Sequence, residues 1–123
     1  MSLTDIDPAL GLLAEFGQIT NGTTKHIHQM RQDVVFTEGA VPARFKALSA
    51  ILWSISARCE PCLKFYVQQA VQLGATQNEL GEFLATASVM GGCVGEMWAL
   101  KAFKAYKDFV SGQSAPVEAT GCC

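Results

Sequence analysis

An all-α fold follows from three observations on the sequence. Apolar residues recur at helical spacing along most of the chain. Helix-start and helix-stop signals follow one another in order. No segment alternates apolar and polar residues as a half-buried strand would.

Asp7-Pro8 opens the first clear element, a capping side chain followed by proline at the first helical position. Ala9, Leu12, Leu13 and Phe16 then share a helical spacing, and Asn21-Gly22 ends the segment. A second helix is predicted from about Thr23 to Val35, followed by the loop Glu38-Gly39-Ala40-Val41-Pro42. Residues 43–57 are mostly apolar (Phe45, Ala47, Leu48, Ala50, Ile51, Leu52, Trp53, Ile55), as in a buried core helix. Pro61 fits the first turn of the next helix, which runs through Leu73 and stops at Gly74. Thr76-Gln77-Asn78-Glu79 is a capping-box pattern that starts another helix, with Leu80, Phe83, Leu84 and Ala87 turned inward. Gly91-Gly92 breaks that helix. The last one is predicted from about Cys93 to Val110, with Val94, Met97, Trp98, Phe103 and Phe109 as packing residues. One helical domain over residues 1–110 and a mobile, small-residue tail over 111–123 are therefore expected.

Composition narrows the function. The 123 residues suit one domain with a real core. Half are hydrophobic and only 16% are charged, too few charges to cover a monomer comfortably, so a subunit interface is expected. The net charge is -2 with no basic block, which argues against a nucleic-acid surface. No apolar run reaches the roughly 18 residues of a membrane span, so no membrane association is expected. Met1-Ser2-Leu3-Thr4-Asp5 has neither the basic region nor the apolar core of a secretory signal, and a cytoplasmic location is expected. There, five cysteines would be reduced unless they serve redox or metal chemistry, and their odd number argues against a purely structural disulfide framework.

Arg58-Cys59-Glu60-Pro61-Cys62 is where chemistry concentrates. Two thiols separated by two residues at a helix start can close into a disulfide with little backbone movement. The positive end of the helix favours thiolate over thiol; Arg58 pushes the same way and Glu60 opposes it. A thiolate is the form that attacks peroxide or another disulfide. The same spacing also suits half of a zinc site or two buried cysteines. Zinc would need two more ligands from His26, His28, Cys93, Cys122 and Cys123, and no second paired motif accompanies the first. His26 and His28 are alternate residues in a helix and face different ways. Cys93, Met90, Met97 and the two tryptophans read as packing residues. No metal and no cofactor is expected.

The pattern around this motif resembles the alkylhydroperoxidase D-like branch of the carboxymuconolactone decarboxylase family. Phe36-Thr37-Glu38-Gly39-Ala40-Val41-Pro42-Ala43-Arg44-Phe45-Lys46 is similar to the loop and helix start before that family's core helix. Cys59-Glu60-Pro61-Cys62 resembles its cysteine motif, Gln69 to Leu80 its "A-x-x-x-G-A-T-x-x-E-I" run, and Val89-Met90-Gly91-Gly92 its helix break. The resemblance spans roughly residues 8 to 110. It implies an all-α bundle assembled as a homotrimer or homohexamer, and hydroperoxide reduction in an antioxidant role. Cys62 would attack the peroxide, Cys59 would resolve the sulfenic acid as a disulfide, and a thioredoxin or lipoyl-type protein would restore the dithiol. The decarboxylase chemistry fits less well, because no Arg/His/Glu set to grip a carboxylated lactone is evident.

Two positions depart from the peroxidase pattern. Its histidine, four residues after the second cysteine, is Tyr66 here, and its glutamate, twelve before the first, is Ala47. Those two groups form the family's proton relay. Tyr66 lies one helical turn from Cys62, placed either to hydrogen-bond its sulfur or to serve as a core aromatic. A phenol is a weak base at neutral pH, so a weak peroxidase or a dithiol protein acting on another substrate, such as a disulfide, is expected. Cys122-Cys123 adds vicinal thiols at the end of the tail. These suit exchange with Cys59/Cys62, capture of a soft metal or metalloid, or no role at all.

Overall fold

The computed structural model describes residues 3–112. The chain forms α1 (Leu3–Ile6), a 3-10 turn (Pro8–Leu12), α2 (Leu13–Ile19), α3 (Thr23–Val34), α4 (Ala43–Ser56), α5 (Glu60–Gln72) and α6 (Gln77–Val110). Among the described residues there is no strand. The expected tail from residue 113 onward, with Cys122 and Cys123, lies outside them.

The Asp7 carboxylate accepts the Ala9 N–H at 2.9 Å, the anticipated cap, although a 3-10 turn follows it before α2 begins. Asn21 and Gly22, at φ 60° and 85°, turn α2 back into α3. Ile6 seats α1 on Phe65 of α5, so the N-terminal elements cover the flank of the helix that carries the cysteine motif.

Helices α4 and α5 make the centre. Ala47, Leu48 and Ile51 of α4 meet Leu63 and Val67 of α5, and Leu80, Leu84, Ala99 and Ala102 of α6 close over them. Pro42 at the α4 N-cap brings no capping side chain; Glu38 supplies it from the preceding loop, accepting the Ala43 N–H at 3.0 Å. Helices α4 and α5 end alike. At α5, Gly74 N–H donates to Val71 O and Ala75 N–H to Ala70 O; at α4, Arg58 N–H donates to Ile55 O and Cys59 N–H to Ser54 O. Both are Schellman ends, which place the residue after the cap in the left-handed region. Gly74, at φ 99°, takes that place without strain. Arg58, at φ 54°, has a Cβ to accommodate there, directly before Cys59.

Helix α6 starts with the predicted capping box. Thr76 Oγ1 accepts the Glu79 N–H at 3.1 Å, and Glu79 returns the bond to the Thr76 N–H at 3.0 Å. Glu79 also pairs with Arg44 at 3.2 Å, which ties the first turn of α6 to the first turn of α4. The predicted break falls at Gly92, at φ 60° and ψ -143°, backbone that essentially only glycine adopts. The chain folds back so sharply that a Cβ on Gly95 would run into the carbonyl oxygen of Ala87. By length and hydropathy α6 is the one helix among the described residues that could cross a membrane, longer and more apolar than the sequence reading allowed. The break divides it, and the segment after Gly92 carries Glu96, Lys101, Lys104, Lys107 and Asp108.

Several residues expected to pack inward do not. Trp53 is 72% exposed and Met90 82% exposed, and Val94, Met97 and Cys93 also face outward. Leu12 and Phe16, which share the predicted stripe, are exposed as well. Those on α4 and α6 lie on helices whose opposite face makes the core, so helical spacing alone marked too wide an apolar stripe as buried, whereas the 3-10 turn and α2 bury no residue on any face.

Candidate functional site

The site is the corner between α4 and α5. Cys59 is the last residue of one helix end and the N-cap of the next, with its backbone extended at φ -100° and ψ 97°. Its Sγ accepts the Cys62 N–H at 3.3 Å, so sulfur takes the place that oxygen usually fills at a helix start. The two Cα atoms are 5.2 Å apart and the sulfurs are joined as a disulfide. Both cysteines are half-buried. The pair predicted from spacing is therefore brought together, at the positive end of a helix, within reach of solvent.

The charges around it differ from the simple expectation. Glu60 was expected to oppose thiolate formation. Its carboxylate pairs with Lys101 at 3.2 Å and with Lys64 at 3.5 Å. The hydrogen bond from Lys101 holds the Glu60 carboxyl below its ordinary value; partial burial works the other way, and the positive charge of Lys64 adds to the lowering. Two lysines thus offset the one acid beside the sulfurs. Arg58 is exposed and lines an apolar cavity of about 400 Å³ with Leu52, Ile55, Met90, Val94 and Trp98. It adjoins the cysteine pair through one peptide bond.

Tyr66 lies half-buried one turn along α5 from Cys62, and both side chains pack on the patch formed by Ile6 and Phe65. Its hydroxyl is engaged. Arg31, reaching across from α3, donates its Nε–H to Tyr66 Oη at 3.0 Å. Arg31 is only 6% exposed, and its guanidinium lies 5.4 Å from the centre of the Phe65 ring. Phe36 closes the aromatic group, 6.3 Å from Phe65 and 6.1 Å from Tyr66 between ring centres. Sequence reasoning missed Arg31. It sits in a polar helix, 35 positions from Tyr66, and no local pattern sets it apart.

The remaining candidates stand apart from the corner. Ala47 is sealed among core residues, so a carboxylate there would be buried in apolar surroundings. His26 is exposed and His28 half-buried, on different faces as predicted. Cys93 is an exposed free thiol and not the packing residue expected beside Gly92. Among the described residues, no three His, Cys, Asp or Glu side chains gather as metal ligands.

Known proteins agree with this architecture. Residues 22–105 match the carboxymuconolactone decarboxylase family. An uncharacterized protein of Cupriavidus necator is 39% identical over 71 residues, a stretch that covers 58% of this chain and 62% of that one. The apo crystal structure of a carboxymuconolactone decarboxylase family protein from Legionella pneumophila superposes with a TM-score of 0.77 at 29% identity, over 87% of this chain and 96% of that one. The family match takes in α3, α4, α5 and most of α6, the cysteine corner included. This chain belongs to the carboxymuconolactone decarboxylase family.

Proposed function

We propose that the protein is a thiol-dependent oxidoreductase of the peroxidase-like kind, with Cys62 as the attacking thiol and Cys59 as its resolving partner. The observation that carries this reading is the bonded cysteine pair at the start of α5, half-buried and open to solvent at the end of the helix where thiolate is favoured. In the reduced protein the Cys62 thiolate attacks the terminal, hydrogen-bearing oxygen of a hydroperoxide. The O–O bond breaks, Cys62 becomes a sulfenic acid and the substrate leaves as an alkoxide, which takes a proton to become an alcohol. Cys59 then attacks the sulfenic sulfur and water departs, leaving the disulfide. A dithiol carrier of thioredoxin or lipoyl type reduces it by exchange.

The test is hydroperoxide consumption by the reduced protein in the presence of a dithiol reductant. Wild type is expected to turn over, and Cys62→Ser to fall to the uncatalysed background. Equal rates in the two proteins would remove the peroxidase reading.

The functional unit in this proposal is a homotrimer or homohexamer. Trp53, Val89 and Met90 are each more than two-thirds exposed in the single chain, an apolar load that a second copy would cover. Sedimentation is expected to give a mass of three or six chains, and a monomer at micromolar concentration would contradict it.

A further inference from the structure

We infer that Arg31 is a positioning residue that turns Tyr66 into a proton donor to the leaving group, an assignment that rests on the peroxidase reading. A guanidinium only donates hydrogen bonds. Its bond to Tyr66 Oη at 3.0 Å therefore occupies a lone pair of the phenol and directs the O–H hydrogen to another acceptor. Arg31 is held for this. It is buried, it lies against the face of Phe65, and it reaches Tyr66 from a different helix, so the contact fixes the phenol in relation to α5. Tyr66 follows Cys62 by one turn and packs on the same patch, which sets the phenol on the helix face that carries the attacking cysteine.

The chemistry then has a defined direction. The Cys62 thiolate supplies an electron pair to the terminal, hydrogen-bearing oxygen. As the O–O bond breaks, the departing alkoxide takes the phenolic proton of Tyr66. The phenolate left behind is stabilised by the Arg31 cation in a partly desolvated setting and regains a proton from water. Sulfur is oxidised by two electrons, the peroxide is reduced by two, and the products are sulfenic acid and alcohol. Tyr66 works as an acid where the family's histidine–glutamate relay handles protons by another route, which removes the need for a carboxylate at Ala47.

Leaving-group dependence tests this directly. Loss of free thiol in the reduced protein is followed with tert-butyl hydroperoxide, whose alkoxide needs a proton to leave, and with peracetic acid, whose acetate does not. Tyr66→Phe is expected to slow the first reaction by about 10²-fold and to leave the second nearly unchanged, as for loss of a general acid. Arg31→Gln should reproduce that split and Arg31→Lys should recover part of the lost rate. If Arg31→Gln does not fold, Arg31→Lys carries the test, its deficit expected with tert-butyl hydroperoxide alone. Equal slowing with both oxidants, or no change with either, would make Arg31 a packing residue and overturn the assignment. A wild type inert to both oxidants would instead remove the peroxidase reading, and the role of Arg31 with it.

Discussion

Helices α5 and α6 begin with the same backbone device and use it for opposite ends. In each, an extended N-cap residue accepts the N–H three positions on, from Glu79 at Thr76 and from Cys62 at Cys59. At α6 the acceptor is a hydroxyl oxygen, Glu79 completes the box, and Arg44 ties it to α4; the set is closed on itself and holds no thiol. At α5 the acceptor is sulfur, a weak one, and the donor belongs to the other cysteine. A helix start is where orphan N–H groups and positive partial charge collect. Oxygen spends that field on stability, whereas sulfur keeps it available for a thiolate. Position in the fold is shared; the capping atom decides whether the end is a clamp or a site.

Exchanging or deleting the caps sharpens the contrast. Thr76→Ala should cost about 1 kcal/mol of stability, read from the denaturant midpoint, and leave hydroperoxide turnover at the wild-type rate. A loss of turnover on that substitution would mean that the two ends are coupled and not separate devices. The smaller effect belongs to Cys59→Ser. Serine is the better cap, so the variant should equal or exceed the reduced wild type in stability by a few tenths of a kcal/mol. It should still react once with hydroperoxide and then stall as a Cys62 sulfenic acid, trapped by a dimedone-type reagent. A Cys59→Ser protein that cycles normally with a dithiol would show that Cys59 does not resolve.

What the sequence made legible was local. The Thr76 box, the Asp7 cap, the stop at Gly74 and the break at Gly92 each depend on residues within one turn of one another, and all were readable. The cysteine pair was readable for the same reason. Three features were not. Arg31 meets Tyr66 only because its long side chain reaches from α3 to α5, a contact between residues far apart in the chain. Glu38 caps α4 from five positions away because the N-cap residue there is a proline. Trp53 and Met90 face outward because hydrophobicity records that a side chain avoids water, without saying whether its own chain or another provides the cover.

The corner at Cys59 contains no spare residue. The same amino acid closes α4 through its N–H, given to Ser54 O, and opens α5 through its sulfur. Helical rotation is about 100° per residue, so a single inserted residue between Pro61 and Cys62 would swing the second sulfur a quarter-turn or more around the axis. The reach of one sulfur to the other is thus set by the docking of two helices, with no intervening loop able to absorb an error in chain length.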